Sequence, residues 1–495
     1  MDCEVVVVGG GIGGLTVAAL LAARGVDVCL LERGSSVGGC AASFDKFGYS
    51  FEQGYGLYAS WQAGQIHDRV FSKLPVEPPE VRLMEPGYTV RLPDQSEVSL
   101  TANTGTFEDN LSKVFPECAD KAISFYRELA TLGAALQRVL QRAPDFLTAS
   151  RSRQTYTLLS EGRIGVQVLS YSKNTTLQHL EGVSMRFRRF IDVQLQAMAQ
   201  GGAAEVAYLY AALALTAPRG GLFAIQGGAS SLANRLADSI RQSGGKIRLN
   251  TPVLRMSYDP AGNAIGVDLL SGETVTASKA IISNLTLWDT YGKLVGLNRT
   301  PNEIRKELKS LRSWGAYLIY LGMDVAAEIS SNHVLMLTDW QTGVDYDPER
   351  SQLFFAPAPS WDPRAPEGKR AATVHCFTDV DNWFTFHHDE TEVEQKDQAT
   401  LEGCWQRLHS AMPELGSRVE VIETATPRTF YDQTRRKLGM VGGGVPSPDN
   451  FWSHQPSYLT SLPNLFVISD ATSPGGIAGL TQSAYNLANK IIHSK

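Results

Sequence analysis

The chain opens with a strand, a glycine turn, a helix and a second strand that ends in an acid. These features are, in chain order, residues 4–8, the G-x-G-x-x-G glycines Gly9, Gly11 and Gly14, residues 15–24, residues 26–31 and Glu32. The first glycine permits a tight turn, the second lets backbone approach a pyrophosphate, and the third lets helix and strand pack closely. The helix N-terminus presents free N–H groups and a positive dipole end to phosphates. The sequence therefore predicts a bound dinucleotide, with Glu32 accepting hydrogen bonds from a ribose diol.

Composition places the chain among globular proteins with a large core. Hydrophobic residues make up 43% of its 495 residues and charged residues make up 19%, which are ordinary values for a folded chain. The length predicts about two to four domains. The net charge of −6 leaves no broad basic surface, so we expect no nucleic acid partner.

The cysteines and histidines favour neither a disulfide framework nor a metal site. The six cysteines are scattered without a CxxC pair, so we expect reduced thiols and a cytoplasmic location. Cys3 and Cys29 are predicted to lie in or beside buried strands. His387 and His388 stand next to Asp389, and we interpret this group as a polar loop rather than as a metal site. No metal is therefore predicted.

Hydropathy predicts no segment that crosses a membrane. The first residues are acidic and do not read as a secretory signal, and no stretch reaches the roughly 18–20 apolar residues that span a bilayer. The longest apolar run, residues 206–217, predicts a buried helix or a wall of an apolar cavity. A peripheral contact with a membrane surface stays open.

The predicted strands and helices alternate in a way that indicates an interrupted nucleotide-binding unit. After the opening unit, predicted helices and strands stand at 121–142, 183–217, 229–242, 246–249, 280–284, 316–324, 372–378, 389–412, 464–469 and 477–492. The segments near 229–284 and 464–492 have the strand and helix pattern of the opening unit, and we expect them to complete its sheet. The predicted class is therefore α/β, with a Rossmann-type domain assembled from discontinuous segments and an inserted mixed α+β domain.

Three further features favour FAD over NAD. The doublet Gly38–Gly39 lets backbone N–H groups approach a second phosphate region. Asp470 follows a predicted strand and can hold hydroxyls of a ribityl chain. Gly475 and Gly476 open the last helix, whose N-terminus would stabilise negative charge on a reduced flavin. The chain carries one G-x-G-x-x-G pattern, so its electron donor or acceptor stays open.

On these motifs the whole chain resembles the FAD-dependent carotenoid desaturase, carotenoid isomerase and retinol saturase group of the amine-oxidase-like flavoproteins. Segment 38–54 (GGCAASFDKFGYSFEQG) is similar to the isomerase and saturase branch, and segment 474–484 (PGGIAGLTQSA) is similar to the desaturases. Segments 316–324 and 425–444 have counterparts in the group. Cys40 stands where many relatives carry an arginine that the isomerase and saturase branch tends to lack. The departures from the group's pattern are Glu52 in place of Asp, Ser469 in place of Gly and an ending that is one residue shorter.

The resemblance implies which residues hold the cofactor. Val253 would contact adenine through its backbone, and residues 479–481 would lie near the pyrimidine side of the flavin. The predicted cofactor residues are Gly9, Gly11, Gly13, Gly14, Glu32, Arg33, Gly38, Gly39, Val253, Asp470, Gly479, Leu480 and Thr481. The FAD-binding domain is assigned to 1–60, 220–290 and 435–495, and the substrate-binding domain to 61–219 and 291–434.

The resemblance also implies an FAD-dependent oxidoreductase that acts on carbon–carbon double bonds of a long apolar polyene, similar to a carotenoid or a retinoid. Desaturation, saturation and cis–trans isomerisation stay open, and no catalytic residue is assigned. Two alternatives stay open. One is an amine-oxidase-type flavoenzyme, although no lysine can be assigned near the flavin N5. The other is a non-catalytic flavin-binding module for a lipid or a protein partner.

A polyene offers few polar groups, so its site is expected to be an apolar tunnel with few hydrogen bonds. Candidate lining residues, most of which we expect to be plain core, are Phe187, Phe190, Tyr208, Tyr210 and Leu213. Aromatic residues expected near the flavin are Tyr55, Tyr58 and Trp61. Cationic residues that would meet a carboxylate, a headgroup or solvent are Arg428, Arg435 and Arg436.

Overall fold

A computed structural model gives the fold of most of the chain. The residues that it describes are 2–143, 146, 149–311, 313–325, 332–343, 345–384, 390–453, 460, 462–472 and 475–493. His387, His388 and Asp389, interpreted above as a polar loop, lie outside these residues. Two large sheets with helices packed against them confirm the predicted α/β class.

The strands and helices are numbered in chain order. The strands are β1 Asp2–Val8, β2 Val28–Leu31, β3 Ser43–Lys46, β4 Tyr49–Glu52, β5 Val81–Met84, β6 Tyr88–Arg91, β7 Glu97–Leu100, β8 Leu222–Ile225, β9 Lys246–Arg248, β10 Val253–Tyr258, β11 Ala264–Leu269, β12 Thr274–Ser283, β13 Gly315–Asp324, β14 Val334–Leu337, β15 Gln352–Pro357, β16 Lys369–Thr378, β17 Val419–Ala425 and β18 Leu465–Val467. The helices are α1 Ile12–Ala22, α2 Ile66–Phe71, α3 Thr104–Val114, α4 Ala119–Arg142, α5 Arg151–Leu159, α6 Arg163–Ser170, α7 Met185–Ala199, α8 Tyr208–Ala214, α9 Ala229–Gln242, α10 Leu287–Asp289, α11 Asn302–Ser310, α12 Pro348–Ser351, α13 Glu390–Ala411, α14 Pro427–Thr434, α15 Pro448–Ser453 and α16 Gly476–His493.

The first sheet brings strand ends from distant parts of the chain to one edge. Its order is β10-β11-β12-β1-β2-β9, and β18 pairs with the second half of β12. β1 is parallel to β2 and β12, so that Val5 pairs with Val28 on one side and with Ala280 on the other. β18 is parallel to β12. The carboxyl ends of these four strands therefore meet at one edge, which is where open α/β sheets bind ligands.

Helices cover both faces of the first sheet. α1, α9 and α16 pack on one face, and α1 is buried along its whole length. The opposite face is covered by residues that follow β12, among them Leu294 and Leu308, which belong to the same hydrophobic cluster as Val6. Residues 291–311, which follow the domain boundary predicted at residue 290, therefore pack on the first sheet.

The second sheet has the order β17-β13-β16-β15-β14-β6-β7 and is antiparallel except for the parallel pair of β6 and β14. Buried side chains of α4, α7 and α8 form one hydrophobic cluster with Val90 and Leu335 of this sheet. On the other face, Leu408 of α13 packs against Tyr317. β3 and β4 form a short hairpin, and β5 pairs antiparallel with the distant strand β8.

One predicted helix is divided in the structure. Residues 183–217, predicted as a single helix, form α7 and α8. α7 ends because Gln200 adopts left-handed backbone (φ 59°) and two glycines follow it, which is a common way for helices to end. Cys3 and Cys29 lie in β1 and β2 and are buried, as expected. Among the described residues, no helix is long and apolar enough to cross a bilayer.

Candidate cofactor site and the adjoining cavity

A large cavity lies at the carboxyl edge of the first sheet and continues between the helices and strands of the second sheet. Its volume is about 1380 Å³, above the roughly 300–1,000 Å³ of ordinary small-molecule pockets, so two long molecules can share it. One part, here called the glycine end, is lined by residues 9–13, 31–36 and 38–44. The other part, here called the apolar arm, is lined by side chains of Tyr88, Leu140, Met198, Tyr210, Leu213, Ala214, Leu335 and Phe354.

The glycine turn leaves the N-terminus of α1 open to the cavity. The N-cap residue is Gly11, which has no side chain to accept the first N–H groups, and the first turn contains no acidic residue. A Cβ on Gly11 would lie 2.6 Å from Asn284 Oδ1, and a Cβ on Gly14 would lie 2.4 Å from the Gly9 carbonyl oxygen. The backbone is therefore approachable only because both residues are glycine. This turn fits a pyrophosphate held by backbone N–H groups.

Glu32 stands at the end of β2, beside the glycine turn. Its Oε2 accepts a hydrogen bond from the Gly10 N–H at 2.6 Å, and its Oε1 accepts one from the Gly34 N–H at 2.6 Å. These bonds fix the carboxylate and leave further lone pairs on both oxygens. The position fits a ribose diol, which would donate to those lone pairs.

The glycine doublet is attached directly to the glycine turn. The Gly38 N–H donates to the Gly10 carbonyl at 2.8 Å, and a Cβ on Gly39 would lie 3.4 Å from Gly11 Cα. Both doublet residues have positive φ, 118° and 57°, which favours glycine. Arg33 turns away to donate to the carbonyl of Gln433 at 2.6 Å, and so ties the glycine end to the end of α14.

Asp470 follows β18 and forms an ion pair with Arg436. The Arg436 Nη2 lies 2.9 Å from Asp470 Oδ2, and the same guanidinium donates to the carbonyls of Met440 and Gly442 at 2.7 and 2.9 Å. Burial alone would lower the pKa of Arg436, but the neighbouring Asp470 carboxylate outweighs it and the pKa is raised. The sequence left open whether Arg436 would contact a carboxylate, a headgroup or solvent. The structure pairs it with the Asp470 carboxylate in the wall of the cavity.

Cys40 lies between the doublet and this ion pair. Its Sγ is 3.9 Å from Arg436 Nη1, and burial raises the pKa of the thiol above its ordinary value. The thiol is therefore protonated at neutral pH, and it lines the cavity.

The N-terminus of α16 closes the cavity beside Asp470. Residues 475–480 line the cavity, and the first turn of α16 contains no acidic residue. The helix therefore directs its positive dipole end to the cavity. Thr481 points away, because its hydroxyl donates to the Ile477 carbonyl at 2.8 Å and its side chain is buried.

The structure brings most of the predicted cofactor residues to one cavity. The residues that line it are Gly9, Gly11, Gly13, Glu32, Arg33, Gly38, Gly39, Val253, Asp470, Gly479 and Leu480. Gly14 and Thr481 do not line it. Gly14 instead allows α1 to pack against the end of β1, which is the third-glycine role described above.

The apolar arm contains part of the predicted tunnel. Tyr210 and Leu213 line it, whereas Phe187, Phe190 and Tyr208 are core residues that are fully buried. Tyr208 stacks on His179 with ring centroids 3.5 Å apart. Lining residues that the sequence did not reveal are Tyr88, Gln137, Leu140, Gln141, Met198, Leu335 and Phe354. The periodic apolar pattern of α4 could have indicated that Leu140 faces the interior. It does not show which interior residues border a cavity and which are packed core.

A buried ionic cluster, which the sequence did not reveal, lies where the glycine end meets the apolar arm. Glu52 Oε2 pairs with Arg364 Nη1 at 2.8 Å, and Glu52 Oε1 accepts from the Ala229 N–H at 3.0 Å. Arg364 also pairs with Asp362, and Tyr58 donates to Glu52. Glu52 is one of the departures from the group's pattern. Its partner Arg364 lies 312 residues further along the chain.

The aromatic residues that follow Gly54 have different positions. Tyr55 and Tyr58 line the cavity. The Tyr55 ring lies 4.5 Å from that of Phe354 and 4.9 Å from that of His375, and burial raises the pKa of its phenol. Trp61 does not line the cavity and stacks on His67 with centroids 4.2 Å apart.

The charges along the cavity are concentrated away from the apolar arm. Among the described lining residues the lysine is Lys293, which pairs with Asp289 at 2.7 Å and has a side chain 58% exposed. Both residues follow β12, beside the glycine end. None of the described residues named above for the apolar arm is an acid or a lysine. The carboxylate at its junction with the glycine end, Glu52, is already paired with Arg364, so the arm has no uncompensated carboxylate for a cationic substrate.

Comparison with known proteins finds one family and several relatives along almost the whole chain. The family described as flavin containing amine oxidoreductase matches residues 12–492. Prolycopene isomerase 1, chloroplastic, from an Oncidium hybrid cultivar is 24% identical over 511 residues, which cover 99% of this chain and 84% of the relative. All-trans-retinol 13,14-reductase from Danio rerio is 24% identical over 550 residues, which cover 99% and 86%.

Solved structures share the fold. An oxidoreductase from Methanosarcina mazei has a TM-score of 0.65 at 17% identity, with 99% of this chain and 100% of that chain covered. A triple mutant of putrescine oxidase has a TM-score of 0.67 at 14% identity, with 99% of each chain covered. At these identities the likeness concerns the fold alone.

Proposed function

The chain belongs to the family of flavin-containing amine oxidoreductases, and from this premise we propose that it acts on carbon–carbon double bonds of a long apolar polyene. The family match over residues 12–492 confirms FAD as the cofactor and the class of flavin-dependent oxidoreductase. The resemblance to the carotenoid isomerase and retinol saturase group is confirmed by the relatives named above. Their names state isomerisation of prolycopene and reduction of all-trans-retinol, and these names support a polyene substrate here.

The observation that carries this proposal is the continuity of the glycine end with the apolar arm. The predicted cofactor residues line one part of the cavity, and Leu140, Met198 and Leu213 line the other. A hydrocarbon chain gains affinity by leaving water and needs few hydrogen bonds. A polyene in the arm would reach the flavin near Tyr55 and the N-terminus of α16.

We assign the residues of the glycine end the following roles. The backbone at Gly9, Gly11 and Gly13 holds the pyrophosphate, and Glu32 holds the adenosine ribose. Asp470, oriented by Arg436, accepts hydrogen bonds from the ribityl chain. FAD, when bound, supplies hydride or electron transfer, and the N-terminus of α16 stabilises negative charge at the flavin's pyrimidine side.

For the remaining predicted residues we propose contacts set by their places in the fold. Val253, at the start of β10, contacts adenine through its backbone, and Gly38 and Gly39 approach the phosphates. Gly479 and Leu480 of α16 lie beside the flavin's pyrimidine side. Gly14 and Thr481 support the site from outside the cavity, and Arg33, which lines the cavity, joins the glycine end to the end of α14.

The domain division is proposed with one change. The flavin-binding domain contains 1–60, 220–311 and 435–495, since residues 291–311 pack on the first sheet. The substrate-binding domain contains 61–219 and 312–434. We further propose a cytoplasmic location with peripheral contact to a membrane surface, because the six cysteines are all free thiols and polyenes partition into bilayers.

Amine oxidation is the alternative that an experiment must exclude. Putrescine oxidase shares the fold, but a diamine is cationic and its burial requires a compensating charge. None of the described residues named for the apolar arm is an acid that could pair with it or a lysine. A polyene needs no such partner, so the arm favours the polyene.

The proposal is tested by an anaerobic assay of the FAD-loaded chain. Carotenoids and retinoids of cis and trans geometry are dispersed in detergent and incubated with the oxidised and, separately, the reduced flavin. Desaturation bleaches the oxidised flavin, saturation reoxidises the reduced flavin, and isomerisation changes the polyene without a net change of the flavin. Amines form a parallel panel. Turnover of amines alone would overturn the proposal, and an inert flavin with all panels would favour the non-catalytic alternative.

A further inference from the structure

The outer surface of the helical hairpin α5–α6 carries exposed apolar side chains beside exposed basic ones. We propose that this hairpin, with the C-terminal turn of α4, docks on a bilayer surface that contains anionic lipids. This inference rests on the proposed function, since it names the surface through which a membrane-dissolved polyene reaches the cavity. The docking face is defined by Arg142, Arg151, Tyr156, Leu159, Arg163 and Val166.

Three large apolar side chains stand in solvent on this hairpin. Tyr156 is 77% exposed, Leu159 is 50% exposed and Val166 is 53% exposed. Tyr156 and Leu159 are three residues apart in α5 and share one helix face. Single exposed apolar residues are ordinary on protein surfaces, but grouped ones indicate contact with a partner or a membrane. An aromatic residue with aliphatic neighbours suits the boundary between headgroups and acyl chains.

The hairpin, taken together with the chain segments on either side of it, is also basic in an acidic protein. Residues 138–173 contain six Arg and Lys residues and two Asp and Glu residues, a net charge of +4, whereas the whole chain has a net charge of −6. The side chains of Arg138 and Arg142 are 48% and 66% exposed, and Arg151 and Arg163 are exposed. Basic side chains flanking exposed apolar ones are complementary to anionic headgroups over an acyl interior. This charge contrast orients the protein with the hairpin toward the membrane.

The hairpin is held firmly on the body of the protein. Glu161, at its tip, forms ion pairs with Arg142 at 2.6 Å and Arg138 at 3.4 Å. The Gln167 amide of α6 donates to Glu128 of α4 at 2.9 Å. α5 and α6 meet so closely that a Cβ on Gly165 would lie 1.7 Å from the Leu158 carbonyl oxygen. The hairpin is therefore attached to α4 by these contacts and by Leu158 and Val168, which are buried in the core.

The C-terminal part of α4 connects this face to the apolar arm. Gln137, Leu140 and Gln141 line the cavity, while Arg138 and Arg142, on the same turns, reach the hairpin. Side chains three or four positions apart share a helix face, and the intervening ones face elsewhere. The same turns of α4 therefore border the cavity on one side and the docking face on the other.

The test is co-sedimentation of the FAD-loaded full chain with vesicles. Vesicles of phosphatidylcholine with roughly 30% phosphatidylglycerol are compared with phosphatidylcholine alone. We expect binding to the anionic vesicles that falls at high salt, and at least about tenfold weaker binding for Tyr156→Ser/Leu159→Ser. Arg151→Gln/Arg163→Gln is expected to lose binding to anionic vesicles by a similar factor.

The matched control is Leu270→Ser/Leu297→Ser, which removes two equally exposed leucines (67% and 58%) outside the hairpin. It should bind vesicles as the wild type does, and the visible flavin absorbance should be unchanged in all variants. A wild type that ignores anionic vesicles, or a control that weakens binding as much as the hairpin variants, would overturn the inference. Binding to a polyanion such as RNA in place of vesicles would overturn it equally.

A second readout separates this inference from the proposed function. With a polyene dispersed in detergent, the hairpin variants should turn over as fast as the wild type. With the same polyene dissolved in anionic vesicles, they should be several-fold slower. Turnover in detergent without vesicle binding would refute the docking face and leave the proposed function standing. Vesicle binding without turnover of any polyene would support the docking face and refute the proposed function.

Discussion

The glycine end and the apolar arm share one cavity, but they are built from different parts of the polypeptide. At the glycine end the ligand-facing groups are backbone N–H groups, with side chains removed at Gly9, Gly11 and Gly39. In the apolar arm the surface is made of side chains from six elements of the second sheet and its helices. The first arrangement suits a ligand with phosphates, and the second suits a ligand with almost no polar atoms.

The two parts therefore differ in how sharply a substitution should act. A backbone cradle tolerates no added atom, because the neighbouring Asn284 side chain and Gly9 carbonyl leave no room. A wall of apolar side chains can exchange one shape for another at moderate cost. The predictions below use this difference, and they run from the largest expected effect to the smallest.

Gly11→Val should abolish FAD binding. A Cβ alone at this position would lie 2.6 Å from Asn284 Oδ1, and the larger valine would occupy the place of the pyrophosphate. We expect FAD affinity to fall by a factor of at least about 100, corresponding to about 3 kcal/mol. The measurement is the FAD content of the purified chain and its titration with added FAD.

The control for this variant is Gly220→Ala. Gly220 also lines the cavity, but a Cβ there would meet no atom within 4 Å. It should retain FAD at one equivalent per chain, and both variants should keep the circular dichroism of the wild type. Stoichiometric FAD in Gly11→Val would place the cofactor elsewhere and would remove the basis of the comparison.

Asp470→Ala should weaken the glycine end without unfolding it. Loss of one partner of a buried ion pair costs about 3–5 kcal/mol, but the Asp470 side chain is 34% exposed, so solvent screening reduces the expected loss to about 2 kcal/mol. The measurement is the free energy of unfolding of the FAD-loaded chain in urea. Adding Arg436→Met should recover part of the loss, because the unpaired guanidinium is then gone.

A surface ion pair nearby provides the contrast. Arg435 pairs with Asp432 at 3.1 Å, and the Asp432 side chain is 69% exposed. Asp432→Ala should therefore cost less than about 0.5 kcal/mol. Equal losses in Asp432→Ala and Asp470→Ala would show that the Asp470–Arg436 pair has no special place in the site.

The glycine end was largely predictable from the sequence, because its information is local. Strand, turn, helix and acid follow one another within residues 2–32, and their spacing fixes their geometry. The prediction of α9 matched its observed bounds, Ala229–Gln242, because a glycine pair precedes it and another follows it. Thr481 shows the limit of local prediction. The sequence placed it beside the flavin, but its hydroxyl donates to the Ile477 carbonyl within α16 and it does not line the cavity.

The apolar arm was not predictable in this way, because its residues meet only in the folded chain. Tyr208 and Tyr210 are two positions apart in α8, so helical geometry places them on different faces, but it does not say which face borders a cavity. The structure places Tyr210 at the arm and Tyr208 against His179. Glu52 and Arg364 pair across 312 residues, a separation at which spacing carries no information.

Leu213→Trp should obstruct the apolar arm and leave the glycine end intact. Leu213 lines the arm and is only partly buried, so the indole can extend into the cavity without disrupting the core. We expect kcat/KM for a long polyene to fall about tenfold, equal to about 1.4 kcal/mol, with FAD content unchanged. Leu270→Trp, at an exposed position outside the cavity, is the matched control. A Leu213→Trp chain that keeps wild-type kcat/KM would show that the substrate lies elsewhere.

The smallest expected effect is on the pH dependence of the free energy of unfolding, and it comes from one buried histidine in each region. His67 lies beside Trp61 next to the flavin-binding part, and His375 lies on β16 beside Tyr55. Burial lowers the pKa of each imidazole to about 3, from about 6.5 in the unfolded chain. Below pH 6.5 the unfolded chain takes up a proton at each histidine and the folded chain does not, so the free energy of unfolding falls as the pH falls.

At pH 6 each histidine should therefore lower the free energy of unfolding by about 0.8 kcal/mol relative to pH 7.5. His67→Phe and His375→Phe should each remove that increment, because a phenyl ring keeps the aromatic contacts and does not titrate. The measurement is urea unfolding of both variants and the wild type at the two pH values. If the two regions unfold as one cooperative unit, both variants should reduce the pH dependence of the same unfolding transition. If only one variant reduces the pH dependence of that transition, the two regions unfold separately. The glycine end and the apolar arm then differ in stability as well as in construction.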